Sequence, residues 1–360
     1  MKVLVINPGS TSTKIAIYDD VKGSVYDSTI RHNADDLTKF EKIVDQFDYR
    51  KKFILEALTN AGIALSDLSA IVGRGGLMRP VEGGTYAINQ KMLDDLADKS
   101  VWGREHASNL GAYLAKSMAD EVGIPSFIAD PVTVDEMKDV ARISGIPEIE
   151  RNSLFHALNS RACAHKAAKE LGKKIEDCNF VILHMGGGIS AVAFEKGRCI
   201  DVNNALLGMG PFSPQRAGAL PIGPLIEMAY SGKYTKKELL TYLSTKAGLL
   251  AYLGTDMGTD IEKRIMDGDK KAALIMDAMS YQIVKEAGAM YAVLKGQADG
   301  VIYTGGLAYS KDFLIPYLKE HLAYIGKQIV YPGEEELPAL ADAGFRILSG
   351  EEKPKEYKGK

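Results

Sequence analysis

Four consecutive apolar residues at positions 3–6, VLVI, precede a stretch of turn formers at 8–13, and apolar and polar residues alternate at 14–18. An unbroken apolar run reads as a buried strand and alternation as a strand covered on one face, so the pair predicts a β-hairpin. A helical pattern covers residues 35–60. A short strand is predicted at 70–72, ending in the turn Gly73-Arg74-Gly75-Gly76. Residues 91–121 read as largely helical with an interruption near Trp102-Gly103, and 127–129 as a strand closed by Asp130-Pro131.

Near residue 180 the pattern begins again. A strand run at 180–183 leads into the glycine turn HMGGG at 184–188, a strand returns at 191–194, and Lys196-Gly197 closes a second hairpin. Asn7 and His184 hold the same place, the polar residue that ends the first strand, about half a chain apart. Two halves of related architecture are therefore expected. Helical runs follow at 236–243 and 272–294, then a strand at 300–304, the turn Gly305-Gly306, a helical run at 311–325 and a last strand at 329–331. The charged tail EEKPKEYKGK reads as solvated. Strands interleaved with helices indicate α/β architecture. Hairpins heading each half argue against a purely parallel doubly wound sheet.

With 360 residues, two domains are the ordinary expectation, and 46% hydrophobic with 25% charged residues is enough to build two cores. The net charge of −3 provides no global field for nucleic acid or acidic lipid, so no such partner is expected and an anionic substrate must be held by local charges. Cys163, Cys178 and Cys199 are odd in number and lack CxxC spacing, which argues against a disulfide framework or a zinc site. Met1 leads straight into an apolar strand, and no apolar run approaches the roughly 18 residues of a membrane span. The expectation is a cytoplasmic protein.

Two glycine-bearing turns directly follow strands, NPGSTSTK at 7–14 and HMGGG at 184–188. Glycine lets a backbone come close to a phosphate and aim N–H groups at it. Ser10, Thr11, Ser12 and Thr13 add hydroxyls and Lys14 a cation. Each turn read alone is equally a tight hairpin. A polyphosphate needs donors from more than one side, which the pair at matching positions supplies. Neither turn matches the P-loop or dinucleotide fingerprint. The third turn, Thr304-Gly305-Gly306, suits a nucleotide contact. Arg74 and Arg216 sit among turn formers and present planar forks that match carboxylate and phosphate oxygens, although either alone reads as a surface arginine. His156, in NSLFHALN, reads by itself as a core or capping histidine. Asp130 reads as a metal ligand or a turn cap, and Glu334-Glu335-Glu336 as a solvated face.

Taken together, NPGSTSTK, GRGG, ADP, FHALN, HMGGGIS, GMGPFSPQRAG and TGG stand in one order along nearly the whole chain. In that order they resemble the acetate and butyrate kinase family, in the superfamily of actin, the heat-shock chaperone ATPases and sugar kinases. Several look like butyrate kinase wording. The resemblance implies a duplicated, two-lobed actin-like ATPase fold, ribonuclease H-like, with an ATP cleft between the lobes. Residues 1–150 would form the first lobe, with 335–360 packing back on it, and 151–334 the second. It also implies ATP/ADP as the nucleotide, Mg2+ as the ion, a small carboxylic acid as substrate and a homo-oligomer, at least a dimer. Asn7, Ser10, Ser12 and Lys14 would form the first phosphate loop, and His184, Gly186, Gly187 and Gly188 the second. Asp256, Gly305 and Gly306 would lie near the adenosine. Arg74 and Arg216 would flank the acid and the phosphoryl group in transit, His156 would hydrogen-bond that group, and Asp130 would be the catalytic aspartate. Asn7 and a glutamate of the triplet, Glu335 first among them, would support the metal. Gly75 and Gly76, where acetate kinases carry bulkier residues, would open room for a longer acyl chain. Butyrate is the expected acid, with isobutyrate, valerate, propionate and acetate as alternatives. A sugar kinase or an actin-like switched protein remains a rival, and neither needs two arginines around an anionic acceptor.

Overall fold

The computed structural model describes residues 1–102, 105–334 and 336–359. The first hairpin forms where the periodicity predicts it. β1 (Lys2–Pro8) and β2 (Ser12–Asp19) pair antiparallel with Asn7 opposite Lys14, and β3 (Gly23–Arg31) extends the hairpin outward. On its other edge β1 pairs parallel with β4 (Ala70–Arg74). Short β5 (Thr85–Ala87) lies antiparallel to β6 (Ser126–Ala129), which itself runs parallel to β4.

A second sheet repeats this plan. β7 (Asn179–Met185), β8 (Ile189–Glu195) and β9 (Arg198–Val202) form an antiparallel meander. β10 (Gly300–Gly305) and β11 (Lys327–Pro332) then continue parallel from β7. The order β11-β10-β7-β8-β9 matches β6-β4-β1-β2-β3 strand for strand and direction for direction. The two halves are therefore duplicates in topology.

The chain divides into two compact units, Met1–Val134 with Glu335–Lys360, and Asp135–Glu334. In the first, the helix Leu110–Val122 packs on β4, β6 and β1, while the helix Glu336–Leu348 packs on β1 and β4. The two helices cover opposite faces. A side chain at position 73 would point at Gly111 and Val72 points at Gly344, and neighbouring strand residues face opposite ways. In the second unit Val181, Leu183 and Met185 join a core with Met276, Met279 and Ile283 of the helix Lys270–Val293. The alternate residues of β7, His184 among them, face the helix Ala157–Glu170. Among the described residues no helix is long and apolar enough to cross a membrane.

Three expectations need correction. The helical run at 35–60 breaks into Ala34–Leu37 and Phe47–Asn60. Between them the Asp45 carboxylate accepts the Lys42 N–H, a local bond that competes with helix. Helix 311–325 is shorter, Leu314–His321. The tail is not solvated throughout, because β12 (Lys355–Glu356) adds to β5 and Tyr357 is only 3% exposed. The Tyr357 hydroxyl donates to the buried Asp95 carboxylate at 2.7 Å, and the Asn89 amide donates to its carbonyl. Burying one aromatic side chain and satisfying its hydroxyl outweighs the solvation preference of the charged residues around it.

Candidate active site

β1, β4 and β6 are parallel neighbours, and their carboxyl ends bring Asn7, Arg74 and Asp130 to one edge of the first sheet. That edge is where open α/β sheets bind ligands. Asn7 Nδ2 donates to Glu336 Oε2 at 2.7 Å, and Arg74 Nη1 pairs with Glu336 Oε1 at 2.5 Å. Glu336 is the first residue of its helix, where the positive end of the helix dipole also favours a carboxylate. Asp130 is buried with φ +37°, a strained angle for a residue with a side chain, and its Oδ1 accepts the Gly84 N–H at 2.6 Å. Lys14 and Ser10 are exposed and Ser12 half-buried on the β1–β2 turn.

Gly75 and Gly76 do not open a pocket here. A Cβ at 75 would meet Pro131 Cβ at 2.5 Å, and one at 76 would meet Asn109 Oδ1 at 2.5 Å. The missing volume is filled by the protein's own residues, so the expected widening of the acyl site by these glycines is not what the structure provides.

In the second unit His156 and His184 stack with ring centroids 3.8 Å apart and planes 11° from parallel. His156 Nδ1 lies 2.8 Å from Ser190 Oγ, one strand over. His184 is fully buried, with Nδ1 2.8 Å from Asn159 Nδ2 and Nε2 3.1 Å from Glu334 Oε1. An amide that donates to Nδ1 leaves the His184 proton on Nε2, aimed at the glutamate. Gly186, Gly187 and Gly188 turn the chain here, and the Ser213 hydroxyl anchors the Gly187 carbonyl at 2.6 Å. The Arg216 guanidinium lies against Gly188 and donates to the Ala205 carbonyl at 2.6 Å. Burial pulls Arg216 below its ordinary value, yet a guanidinium stays protonated at neutral pH. Gln215 bonds Asp256 at 2.6 Å beside Gly187, and Gly305-Gly306 follow β10, the strand next to β7.

Asn7, Arg74 and Asp130 thus share one edge in the first unit. His156, His184, the triple glycine, Arg216, Asp256 and Gly305-Gly306 group around the β7 and β10 ends of the second. Glu335 lies outside the described residues. Its neighbours correct the solvated-face reading, since Glu334 engages His184 and Glu336 engages Asn7 and Arg74. Sequence reasoning passed over Asn159, Ser190, Ser213 and the individual roles of Glu334 and Glu336. For Asn159 a signal existed, because it stands one helical turn after His156.

Residues 148–339, more than half of the chain, match the acetokinase family. The chain belongs to the acetokinase family. It is a phosphotransferase with a carboxylate acceptor, and ATP and ADP are its nucleotides. Most of the chain also matches solved structures. Acetate kinase from Porphyromonas gingivalis has 20% identity and a TM-score of 0.75, over 96% of this chain and 99% of that one. Acetate kinase from Entamoeba histolytica has 16% identity and a TM-score of 0.77, over 97% and 100%. A propionate kinase from Francisella tularensis has 17% identity and a TM-score of 0.73, over 94% and 98%. At these identities the likeness is one of fold. It agrees with the duplicated sheets in assigning the actin-like α/β architecture.

Proposed function

We propose that this chain phosphorylates a short-chain carboxylate by direct in-line transfer from ATP, reversibly, and that butyrate is its best acid. The observation that carries the reading is the Arg74 pair. A guanidinium at the carboxyl end of a parallel strand, beside Asn7, clasps a carboxylate at 2.5 Å. A carboxylic acid of ordinary pKa, roughly 4–5, is ionised at pH 7 and needs no general base. Its oxygen bonds to the γ-phosphorus, the bond to the bridging oxygen breaks, and ADP leaves with that electron pair. The obstacle is repulsion between two anions.

Arg74 and Arg216 take up that charge, and His156, held by Ser190 and stacked on His184, hydrogen-bonds the phosphoryl group. Asn7, Ser10, Ser12 and Lys14 receive phosphate oxygens on one turn, and His184 with Gly186, Gly187 and Gly188 on the other. Asp256, Gly305 and Gly306 lie toward the adenosine. Asp130, braced by the Gly84 N–H, is the catalytic carboxylate. Magnesium suits the donor set. In the first unit the Glu336 carboxylate stands beside the Asn7 amide. That matches an ion held by one or two carboxylates with water and phosphate oxygens. When bound it neutralises charge on the β- and γ-oxygens. Asn7 with a glutamate of the triplet, Glu335 or Glu336, would hold it.

Butyrate rests on the likeness of several of the motifs to butyrate kinase wording. The test traps acyl phosphate with hydroxylamine over straight and branched acids of two to six carbons. Butyrate is expected to show the highest kcat/KM, with overlap among neighbours, since one methylene is worth only about 1–3 kcal/mol. Acetate as the best substrate ends the butyrate assignment. Failure of every acid ends the function.

A second copy of the chain is the proposed partner. The helix Ile222–Tyr230 has no buried residue, and Ile222 and Ile226 are 72% and 53% exposed. Apolar side chains left bare in a row mark an association surface. Light scattering is expected to give twice the 39.0 kDa chain mass, and Ile226→Lys to halve it. A monomeric parent overturns the dimer, and a dimeric variant relocates its seat.

A further inference from the structure

Arg50 is fully buried in the helix Phe47–Asn60, beneath the turn that joins β1 and β2. Its Nη1 donates to the carbonyls of Gly9 at 2.9 Å and Ser12 at 3.1 Å and to Thr13 Oγ1 at 3.1 Å. Nη2 donates to the Ser10 carbonyl at 3.0 Å, and Nη2 and Nε share Gln46 Oε1 at 2.9 and 3.1 Å. The remaining carbonyl of the turn, that of Thr11, accepts the His32 N–H at 2.9 Å. Every carbonyl from Gly9 to Ser12 is thereby drawn into the protein.

A trans peptide points its C=O and the following N–H in opposite directions. Pulling the carbonyls of Gly9, Ser10 and Thr11 inward therefore turns the N–H groups of Ser10, Thr11 and Ser12 outward. Among the described residues the Ser10 and Thr11 N–H groups have no protein hydrogen bond, and both residues are exposed. Outward N–H groups in succession form an anion receptor. The guanidinium has no carboxylate partner within ion-pair distance among the described residues. An acidic partner would cancel the positive potential under the turn, and the neutral acceptors around Arg50 leave it in place. Burial lowers Arg50 to about 10, which keeps it charged at neutral pH. Its neighbour His32, pushed down to about 4 by burial and then by Arg50, stays neutral and adds no charge there.

We propose that Arg50 is the positioning residue of the first phosphate turn. It sets the turn's carbonyls inward and its N–H groups outward, and it contributes an uncompensated positive charge to triphosphate binding. The proposal rests on reading residues 7–14 as a phosphate turn, and the experiment separates the two. In the full-length protein, calorimetric titration compares Mg-ATP, Mg-ADP and adenosine on the parent, Arg50→Met, Arg50→Lys and Gln46→Leu. Hydrogen exchange follows residues 10–13 with and without ATP.

The expected result is a loss of ATP affinity of about tenfold or more in Arg50→Met, a smaller loss for ADP, and adenosine binding within about twofold of the parent. Arg50→Lys, which keeps the charge without the fork, is expected to recover part of the loss, and ATP to slow exchange at 10–13 less in each folded variant than in the parent. Unchanged ATP affinity in a folded Arg50→Met protein overturns the proposal, as does an equal loss for ATP and adenosine. If Arg50→Met does not fold, Arg50→Lys and Gln46→Leu decide by the same split. If ATP fails to slow exchange at 10–13 in the parent, the phosphate-turn reading itself falls, whatever the arginine variants do.

Discussion

Replacing Arg74 by alanine is expected to lower kcat by about three orders of magnitude while KM for ATP stays within about threefold. Arg74 ends β4, beside Asn7, where its Nη1 already pairs with the Glu336 carboxylate. A reacting acid brings the same chemical group to the same kind of partner. In transit the phosphoryl group spreads its charge over three equatorial oxygens between two anionic oxygens, so a guanidinium placed against it there acts on kcat more than on the binding of ATP. Arg74→Lys keeps the charge and loses the planar fork, so it is expected to recover only a minor part of the rate. Steady-state kinetics at saturating acid make the measurement. Near-normal turnover in Arg74→Ala would remove Arg74 from the mechanism.

Local signals carried the parts of this fold that are local. The two hairpins were legible because a buried run, a glycine turn and an alternating run are adjacent in sequence, at β1–β2 and again at β7–β8. The helix Glu336–Leu348 was not, since its first residue belongs to a run of three glutamates that reads as a solvated face. The contacts that assemble the site were hidden for a different reason. Asn7 and Glu336 are 329 positions apart, and Asn159 reaches Thr304 over 145. No periodicity encodes such pairings. Arg50 was invisible in the same way, because a charged residue on an amphipathic helix reads as solvated until the acceptors around it are known. Gly75 and Gly76 show the converse error. A glycine beside a site was read as space for the ligand, and it is space for Pro131 and Asn109.

Gly188→Ala is expected to cost kcat about a hundredfold or more, approaching the roughly thousandfold loss expected for Arg216→Ala. A Cβ at 188 would stand 1.9 Å from Arg216 Nη1 and 2.6 Å from its Cζ, so the guanidinium and the methyl group exclude each other. The guanidinium has to yield. It is the far end of a flexible side chain, and it is held by the Ala205 carbonyl alone on that side. Its Nε is buried with no acceptor among the described residues. The same Cβ comes within 2.9 Å of the Ala205 carbonyl oxygen, so the melting temperature is expected to fall by a few degrees while the fold survives and the charge leaves its working position. Two changes that remove one and the same interaction cannot each subtract their full cost. The double variant Gly188→Ala, Arg216→Ala should then be no more than about threefold slower than Arg216→Ala alone. If the losses multiply instead, Gly188 acts on the phosphates through its own backbone and not by making room for Arg216. If Gly188→Ala turns over normally, the guanidinium has found a working position elsewhere, and its place against the second turn is not the one catalysis uses.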